Sequence, residues 1–284
     1  MIVGVIGAGR VGAVLAAAMR SAGHEVVAAT RVSPLLPDTP PMPVQDVARA
    51  ATDLLLIAVP DDALGGVVAR LAAARAFRQG QIVAHTSGSH GLDVLRLAAA
   101  LGARPLALHP AMTFTGAARD LERLPGISYG VTAPDDLRAE ATRIVADLGG
   151  HPEWIIDGRR VIYHTSLAHG ANHLVTLVNE AADRLRDAGV VQPERVLRPL
   201  LEAALDNALR MGDNALTGPV SRGDAGTIAR HVQALRDTPS LPAYLALARR
   251  TADRAIASGR LRATDAEALL DVLAGTPQAV VAGK

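Results

Sequence analysis

A few short stretches of this sequence carry residue types that do chemistry rather than packing. Gly7-Ala8-Gly9-Arg10-Val11-Gly12 spaces its glycines as G-x-G-x-x-G, between an apolar run, Met1 to Ile6, and a helix-forming run, AVLAAAMRSAG. In that order Gly7 permits a tight turn, Gly9 lets backbone approach a pyrophosphate, and Gly12 lets the helix pack on the strand. The free N–H groups and positive dipole end of the helix then face the phosphates. HTSGSH over 85–90 and HPAMT over 109–113 add imidazoles and hydroxyls. Histidine titrates near neutrality, so His109 is the first acid/base candidate. The Ser87 hydroxyl and the Asn172 amide are donors that would polarise a reacting oxygen or nitrogen.

The run Ala29-Thr30-Arg31-Val32-Ser33 decides which dinucleotide fits. An NAD site places an acid there for the ribose 2′-hydroxyl, whereas an NADP site places arginine and small hydroxyls. No acid is present, which favours NADP(H), with Arg31 on the 2′-phosphate and Thr30 and Ser33 beside it. Val59 and Pro60, at the end of a third apolar run, complete the expected cofactor contacts.

These residues need elements to position them. Apolar runs at Met1 to Ile6, Glu25 to Ala29, Leu54 to Val59, Gln81 to Ala84 and Pro105 to Leu108 predict strands, with helices around 63–75 and 91–101. Alternating strand and helix predicts a parallel, doubly wound α/β sheet whose ligands gather at the C-terminal strand ends. Ile127 to Thr132 and Trp154 to Ile156 would extend the sheet, and the Pro-rich run from Ser33 to Pro43 reads as a surface excursion. From Gly158 the pattern turns helical, with one helix of about 30 residues ending at Gly189. Thr165, Asn172 and Asn179, seven apart, would share a polar face of it. The expected domains are 1–157, a dinucleotide-binding sheet, and 158–284, an all-α domain for substrate and dimerisation.

The stretch Leu216 to Asp224, LTGPVSRGD, interrupts the helical half with a guanidinium beside a carboxylate. Arg222 would bind a substrate anion, and Asp224 would hold Arg222 or cap a helix starting near Ala225, with His231 a turn or two along. Read as scaffold alone, the same loop is a helix connector.

Composition removes several function classes. A net charge of +1 offers no footprint for nucleic acid, and six aromatics leave few stacking platforms. With zero cysteines there is no disulfide, thiolate chemistry or Cys-ligated metal. His169 and His173 are four apart, but no acid or third histidine completes a metal site. The chain enters MIVGVIGAG with no basic leader, and no apolar run approaches the ~20 residues of a membrane span, which reads as cytoplasmic. Its one lysine is Lys284, so no lysine is placed for catalysis.

GVIGAGRVG, HTSGSHG, LHPAMTFTG, and the pair YHTSLAHGAN with ALTGPVSRGD together resemble the Rossmann-like NADP oxidoreductases that carry an all-helical C-terminal domain. Relatives include ketopantoate reductase, pyrroline-5-carboxylate reductase, prephenate dehydrogenase and the deazaflavin-dependent NADP reductases. The nearest resemblance is to a branch defined by a C-terminal domain of unknown function. It implies this architecture. With Arg222 as an anion site, the expectation is hydride transfer between NADP(H) and a small, carboxylate-bearing C=O or C=N substrate. Helices apolar on more than one side predict a homodimer through the helical domain. The catalytic lysine of ketopantoate reductase is absent, and His164 or Asn172 occupies comparable territory. Ser87 and His109 sit in stretches similar to the serine and histidine motifs of prephenate dehydrogenase. A nucleotide sensor that binds NADP(H) without turnover is the alternative.

Overall fold

A computed structural model of the chain describes residues 1–275, so Lys284 lies outside the described residues. The chain divides into two compact units, Met1–His173 and Leu174–Lys284. Secondary structure turns helical near residue 158, as expected, but the division falls later, inside the helical run.

The first unit is one sheet wrapped by helices. Its strands are β1 (Ile2–Ile6), β2 (Glu25–Ala29), β3 (Leu54–Ile57), β4 (Ile82–His85), β5 (Arg104–Pro110), β6 (Ser128–Thr132) and β7 (His151–Trp154), in the order β2-β1-β3-β4-β5-β6-β7. Between them lie α1 (Arg10–Ser21), α2 (Val44–Ala50), α3 (Asp61–Ala73), α4 (Arg96–Ala99), α5 (Arg119–Arg123) and α6 (Arg138–Asp147). All four residues of β3 are buried, as a strand covered on both faces requires. Leu54 and Leu56 pack with Val3, Leu15, Met19, Leu106 and Leu108 on one face. Leu55 and Ile57 pack with Ile6, Leu64, Val68, Leu71 and Val83 on the other. Full burial of each such side chain stabilises by roughly 1.5–3 kcal/mol, so the sheet with its two apolar layers is the main source of cohesion here.

Four details depart from the sequence reading. The sheet is parallel except at β5–β6, which is antiparallel. The Ala111 N–H bonds the Ser128 carbonyl, so the chain folds back at the end of the sheet it left instead of crossing over. The last strand is His151–Trp154, earlier than Trp154 to Ile156, because Ser128 pairs with His151. The helix expected over 91–101 is a 3₁₀ turn, Leu92–Leu95, followed by the single turn of α4. The run from Ser33 to Pro43 is more than a surface excursion. Its Leu36 is buried in the core beside Leu15 and Met19, and Thr39 is tied to Arg20.

The helix expected from Gly158 to Gly189 is α7 (Arg160–Leu167), a π turn (Ala168–Asn172) and α8 (His173–Asp187), with Gly189 at φ 86° just beyond. A π turn inserts a residue and rotates the helix downstream of it by about 100°. The seven-residue spacing of Thr165, Asn172 and Asn179 therefore does not align them, and all three are exposed.

The second unit is helical: α8, α9 (Pro193–Met211), α10 (Gly218–Ser221), α11 (Ala225–Leu235), α12 (Leu241–Ala257) and α13 (Ala263–Ala274). Its core comes from α10 to α13 and their connections, with Val220, Ile228, Ala248, Ala252, Leu261 and Leu269 at the centre. In contrast, α8 and α9 expose Leu174, Val175, Leu177, Val196, Leu200, Leu205 and Leu209.

Candidate active site

The glycine turn forms as its spacing demands. Gly7 sits at φ +87°, and a Cβ there would lie 2.3 Å from the Ala58 carbonyl oxygen. A Cβ on Gly12 would lie 2.4 Å from the Gly7 oxygen, so neither position admits a side chain. At Gly9 the nearest atom to an added Cβ is 4.0 Å away, which leaves open space above the turn. Gly9 precedes α1 without a side-chain cap, and the first turn of α1 carries no acid. Its leading N–H groups are free for an anion, so the residues present fit a pyrophosphate. Ala8 and Val11 belong to this turn, and Val59 abuts it, its Cγ1 being 3.0 Å from a Gly7 Cβ position. Pro60 leads into α3.

At the end of β2 two of the three expected contacts also accept from backbone N–H groups. Thr30 Oγ1 accepts from the Gly7 N–H at 2.9 Å, so it builds the turn. Ser33 is buried, and its Oγ accepts from the Leu35 N–H. Arg31 is exposed and makes no hydrogen bond or ion pair among the described residues.

The loop after β5 also reaches the turn. A Cβ on Gly116 would lie 3.0 Å from Arg10 Cγ. Asp120, fully buried, accepts from the Thr115 and Gly116 N–H groups at 2.7 Å each and from the Thr115 hydroxyl. Burial pushes its carboxyl up, but the Gly116 and Thr115 hydrogen bonds win and hold it below the usual range.

A second cluster forms where β4, β5 and α7 meet. His85 Nδ1 accepts from the Ser87 N–H at 3.2 Å, which leaves Nε2–H to donate to the Gly91 carbonyl at 3.0 Å. Burial pulls its pKa down to about 4, so it is a neutral clamp on the 86–91 loop. Ser87 Oγ accepts from the Ser89 and His90 N–H groups, and the Ser89 hydroxyl donates to Asp61 at 2.7 Å. Burial raises the Asp61 pKa, but Ser89, Ser87 and the nearby His90 together hold it low. Ser87 is 6% exposed and doubly occupied as an acceptor. Its own O–H remains to donate, with Ser89 Oγ 3.4 Å away and Asp61 close by.

His109 lies opposite. Its Nδ1 is 3.0 Å from the Tyr163 hydroxyl, and its ring meets those of Tyr163 and His164 edge-on at 5.6 Å each. Burial first, then the charges of His164 and Arg160, lower His109 from 6.5 to about 4. At neutral pH it is therefore a neutral imidazole. Burial raises the Tyr163 pKa, against Arg160 and a Gly130 backbone hydrogen bond, so the phenol keeps its proton. Tyr163 thus donates to Nδ1, which places the His109 proton on Nε2. A Cβ on Gly88 would lie 2.5 Å from the His164 ring and 3.1 Å from that of His109, so the loop backbone touches both.

Arg160 is the largest fully buried side chain, at 1% exposure. Its Nη2 donates to the Ser87 carbonyl at 2.9 Å and its Nη1 to the Thr132 hydroxyl at 3.0 Å, and no carboxylate pairs with it among the described residues. Sequence reading named His164 but missed Arg160, Tyr163, Ser89 and Asp61. The spacing i, i+3, i+4 of Arg160, Tyr163 and His164 puts them on one helix face, and that was the available signal. Asn172, in the π turn, is exposed and makes no hydrogen bond among the described residues. His169 and His173 are 3.2 Å apart, and no group of three or more potential metal ligands occurs among the described residues.

In the second unit LTGPVSRGD contains the single turn of α10 and leads into α11. Asp224 Oδ1 accepts from the Thr227 N–H at 3.0 Å and caps α11, which starts at Ala225 as expected. Asp224 forms no ion pair with Arg222 among the described residues, and Arg222 is exposed. His231 Nδ1 bonds the Tyr244 hydroxyl at 2.9 Å.

Residues 1–110 match the Rossmann-like domain, and residues 127–251 match the domain of unknown function DUF2520. The chain joins a Rossmann-like domain to a DUF2520 domain. Asp61, Ser87 and His109 come from the Rossmann-like match, and Arg160, Tyr163 and His164 from the DUF2520 match. No curated protein matches the sequence. Among solved structures it is similar to a Bacteroides fragilis protein provisionally described as an NADP oxidoreductase, with TM-score 0.69, 21% identity, and coverage of 89% of this chain and 97% of that one. An Aspergillus terreus reductive aminase in complex with NADPH and ethyl levulinate has TM-score 0.65, 19% identity, and coverage of 91% and 94%. Plasmodium falciparum pyrroline carboxylate reductase with NADP bound has TM-score 0.60, 11% identity, and coverage of 94% and 98%. At these identities the likeness shows the shared fold.

Buried His85 and half-buried His109 set a pH window for stability. Their folded-state values near 4 lie below the ordinary 6.5, so between those values the unfolded chain takes up protons that the folded chain refuses. Their contribution is complete above pH 6.5 and is lost as pH falls toward 4, by up to about 1.4 kcal/mol per pH unit for each histidine. Urea unfolding followed by Trp154, the one tryptophan, should show this decline, and His85→Gln should remove about half the slope. A flat profile between pH 7 and 4.5 would mean that both histidines titrate normally when folded.

Proposed function

We propose that this protein is an NADP(H)-dependent oxidoreductase acting on a small C=O or C=N substrate that bears a carboxylate. The observation that carries the reading is the turn from Gly7 to Gly12, open above Gly9 and ending in an uncapped, acid-free helix start, with Arg31 at the next strand end exposed and without a partner among the described residues. The NADP- and NADPH-bound neighbours support it. Arg31 would hold the 2′-phosphate, and the N–H groups of the first turn of α1 would hold the pyrophosphate. A bound nicotinamide supplies or accepts the hydride. Arg31→Ala should weaken NADPH binding by about 1.5–3 kcal/mol and leave NADH nearly unchanged. Equal native affinity for both cofactors in a fluorescence titration would overturn the assignment.

His109 is the proton donor in this reading, from Nε2. Tyr163 returns a proton to Nδ1, and the Arg160 charge, 5.9 Å from the Tyr163 ring, lowers the cost of the transient phenolate. His164 lies within ring contact to orient the reacting group, and Asn172 is kept as a second donor. The decisive assay is NADPH oxidation against 2-oxo acids, cyclic imines and oxidised deazaflavin. With a working substrate, His109→Gln should cut kcat by about 100- to 10,000-fold with NADPH affinity near native. Arg222→Ala should lower kcat/KM by about 2–4 kcal/mol if Arg222 binds the substrate anion, whereas a connector arginine would change nothing. Tight NADPH binding with no panel member reduced would favour the sensor reading.

We also infer a homodimer through α8 and α9. Leu200 and Leu209 on α9 are 63% and 79% exposed, and α9 buries only Pro193 and Leu197. An amphipathic helix with its apolar residues in water needs a partner, and two-fold dimers are the commonest. Sedimentation should give a dimer at micromolar concentration, and a monomer there would refute it. No described helix is long and apolar enough to cross a membrane.

A further inference from the structure

The helical unit contains a cavity of about 430 Å³ bounded by α8, α10, α11 and α12, in the range of about 300–1,000 Å³ typical of ligand sites. Leu177, Val220, Leu235 and Leu247 form apolar walls. Two polar groups on the same lining are unsatisfied. Arg184 Nε and Ser240 Oγ are both buried with no hydrogen-bond partner among the described residues. Ser240 is 7% exposed and immediately precedes α12, yet its hydroxyl does not cap that helix. Arg184 spends Nη2 on Asp187 at 3.2 Å, which leaves Nε–H without an acceptor. A buried donor left unpaired is costly, and such a group in a native protein calls for an occupant.

We propose that this cavity binds a small carboxylic acid with an apolar body. The missing partners are acceptors, because a guanidinium N–H can only donate. A carboxylate supplies two acceptor oxygens and the negative charge that Arg184 and the acid-free start of α12 favour. The apolar walls take the rest of the molecule. Glu180 also lines the cavity, one turn before Arg184, and has no ion pair among the described residues. The shared chemistry is therefore an apolar carboxylate, presented by a free acid or by an α-amino acid whose ammonium meets Glu180.

Calorimetric titration of the full chain with 3-phenylpropanoate, phenylalanine and 3-phenylpropanamide tests this. The acid or the amino acid should bind saturably, with the neutral amide about tenfold weaker. Arg184→Met and Ser240→Ala should each weaken the tighter ligand about tenfold while melting like the native protein. Methyl resonances of Leu247 and Ala248 should move on binding. If phenylalanine is the tighter ligand, Glu180→Gln should abolish its advantage; if the free acid is tighter, that change should strengthen it. No saturable binding at millimolar concentration, equal binding of the amide, or indifference to both substitutions would overturn the proposal. So would a crystal structure in which a second copy of the chain fills the cavity.

Discussion

The candidate site depends on the buried guanidinium of Arg160. It is the first residue of α7, and its hydrogen bonds reach the Ser87 carbonyl after β4 and the Thr132 hydroxyl on β6. A cation buried without a carboxylate partner is expensive, and the donors of a planar fork are best satisfied when several acceptors converge. That requirement fixes where α7 begins relative to the sheet. Once α7 is docked, the residues three and four further on, Tyr163 and His164, fall against His109, and the Gly88 backbone closes on both imidazoles.

The same charge shapes the chemistry. Arg160 opposes protonation of His85 and His109, acting in the same direction as burial. It also favours the phenolate form of Tyr163, against burial. The cluster is thus neutral at His85 and His109 and positive at Arg160, an arrangement that suits negative charge developing on a reacting oxygen. Asp157 and Asp61 balance the Arg160 charge from a distance, without a direct ion pair among the described residues.

The Gly7–Gly12 turn and this cluster rest on different kinds of constraint. The turn is steric: side chains at Gly7 and Gly12 would collide with the Ala58 and Gly7 carbonyls, and those collisions are local to a strand, a turn and a helix. The cluster is electrostatic and long-range in sequence, since Ser87 and Arg160 are 73 positions apart. The LTGPVSRGD stretch is again local, with Asp224 capping the next helix.

This division explains what could be read without coordinates. Sequence alone determined the strand-turn-helix at Gly7–Gly12, the missing acid after β2, the alternating sheet and the helical second half, because each depends on residues within a few turns of one another. His109 and His164 could be picked out by type and place. Tertiary structure decided the rest. It turned β6 antiparallel, because the 111–127 segment folds back at the same sheet end, and it drew Leu36 into the core. It occupied Thr30, Ser33 and Ser87 with backbone N–H groups, and it neutralised His109 by burial. Hydrogen-bond partners and desolvation depend on what other segments bring within about 3 Å, and no local pattern encodes that distance.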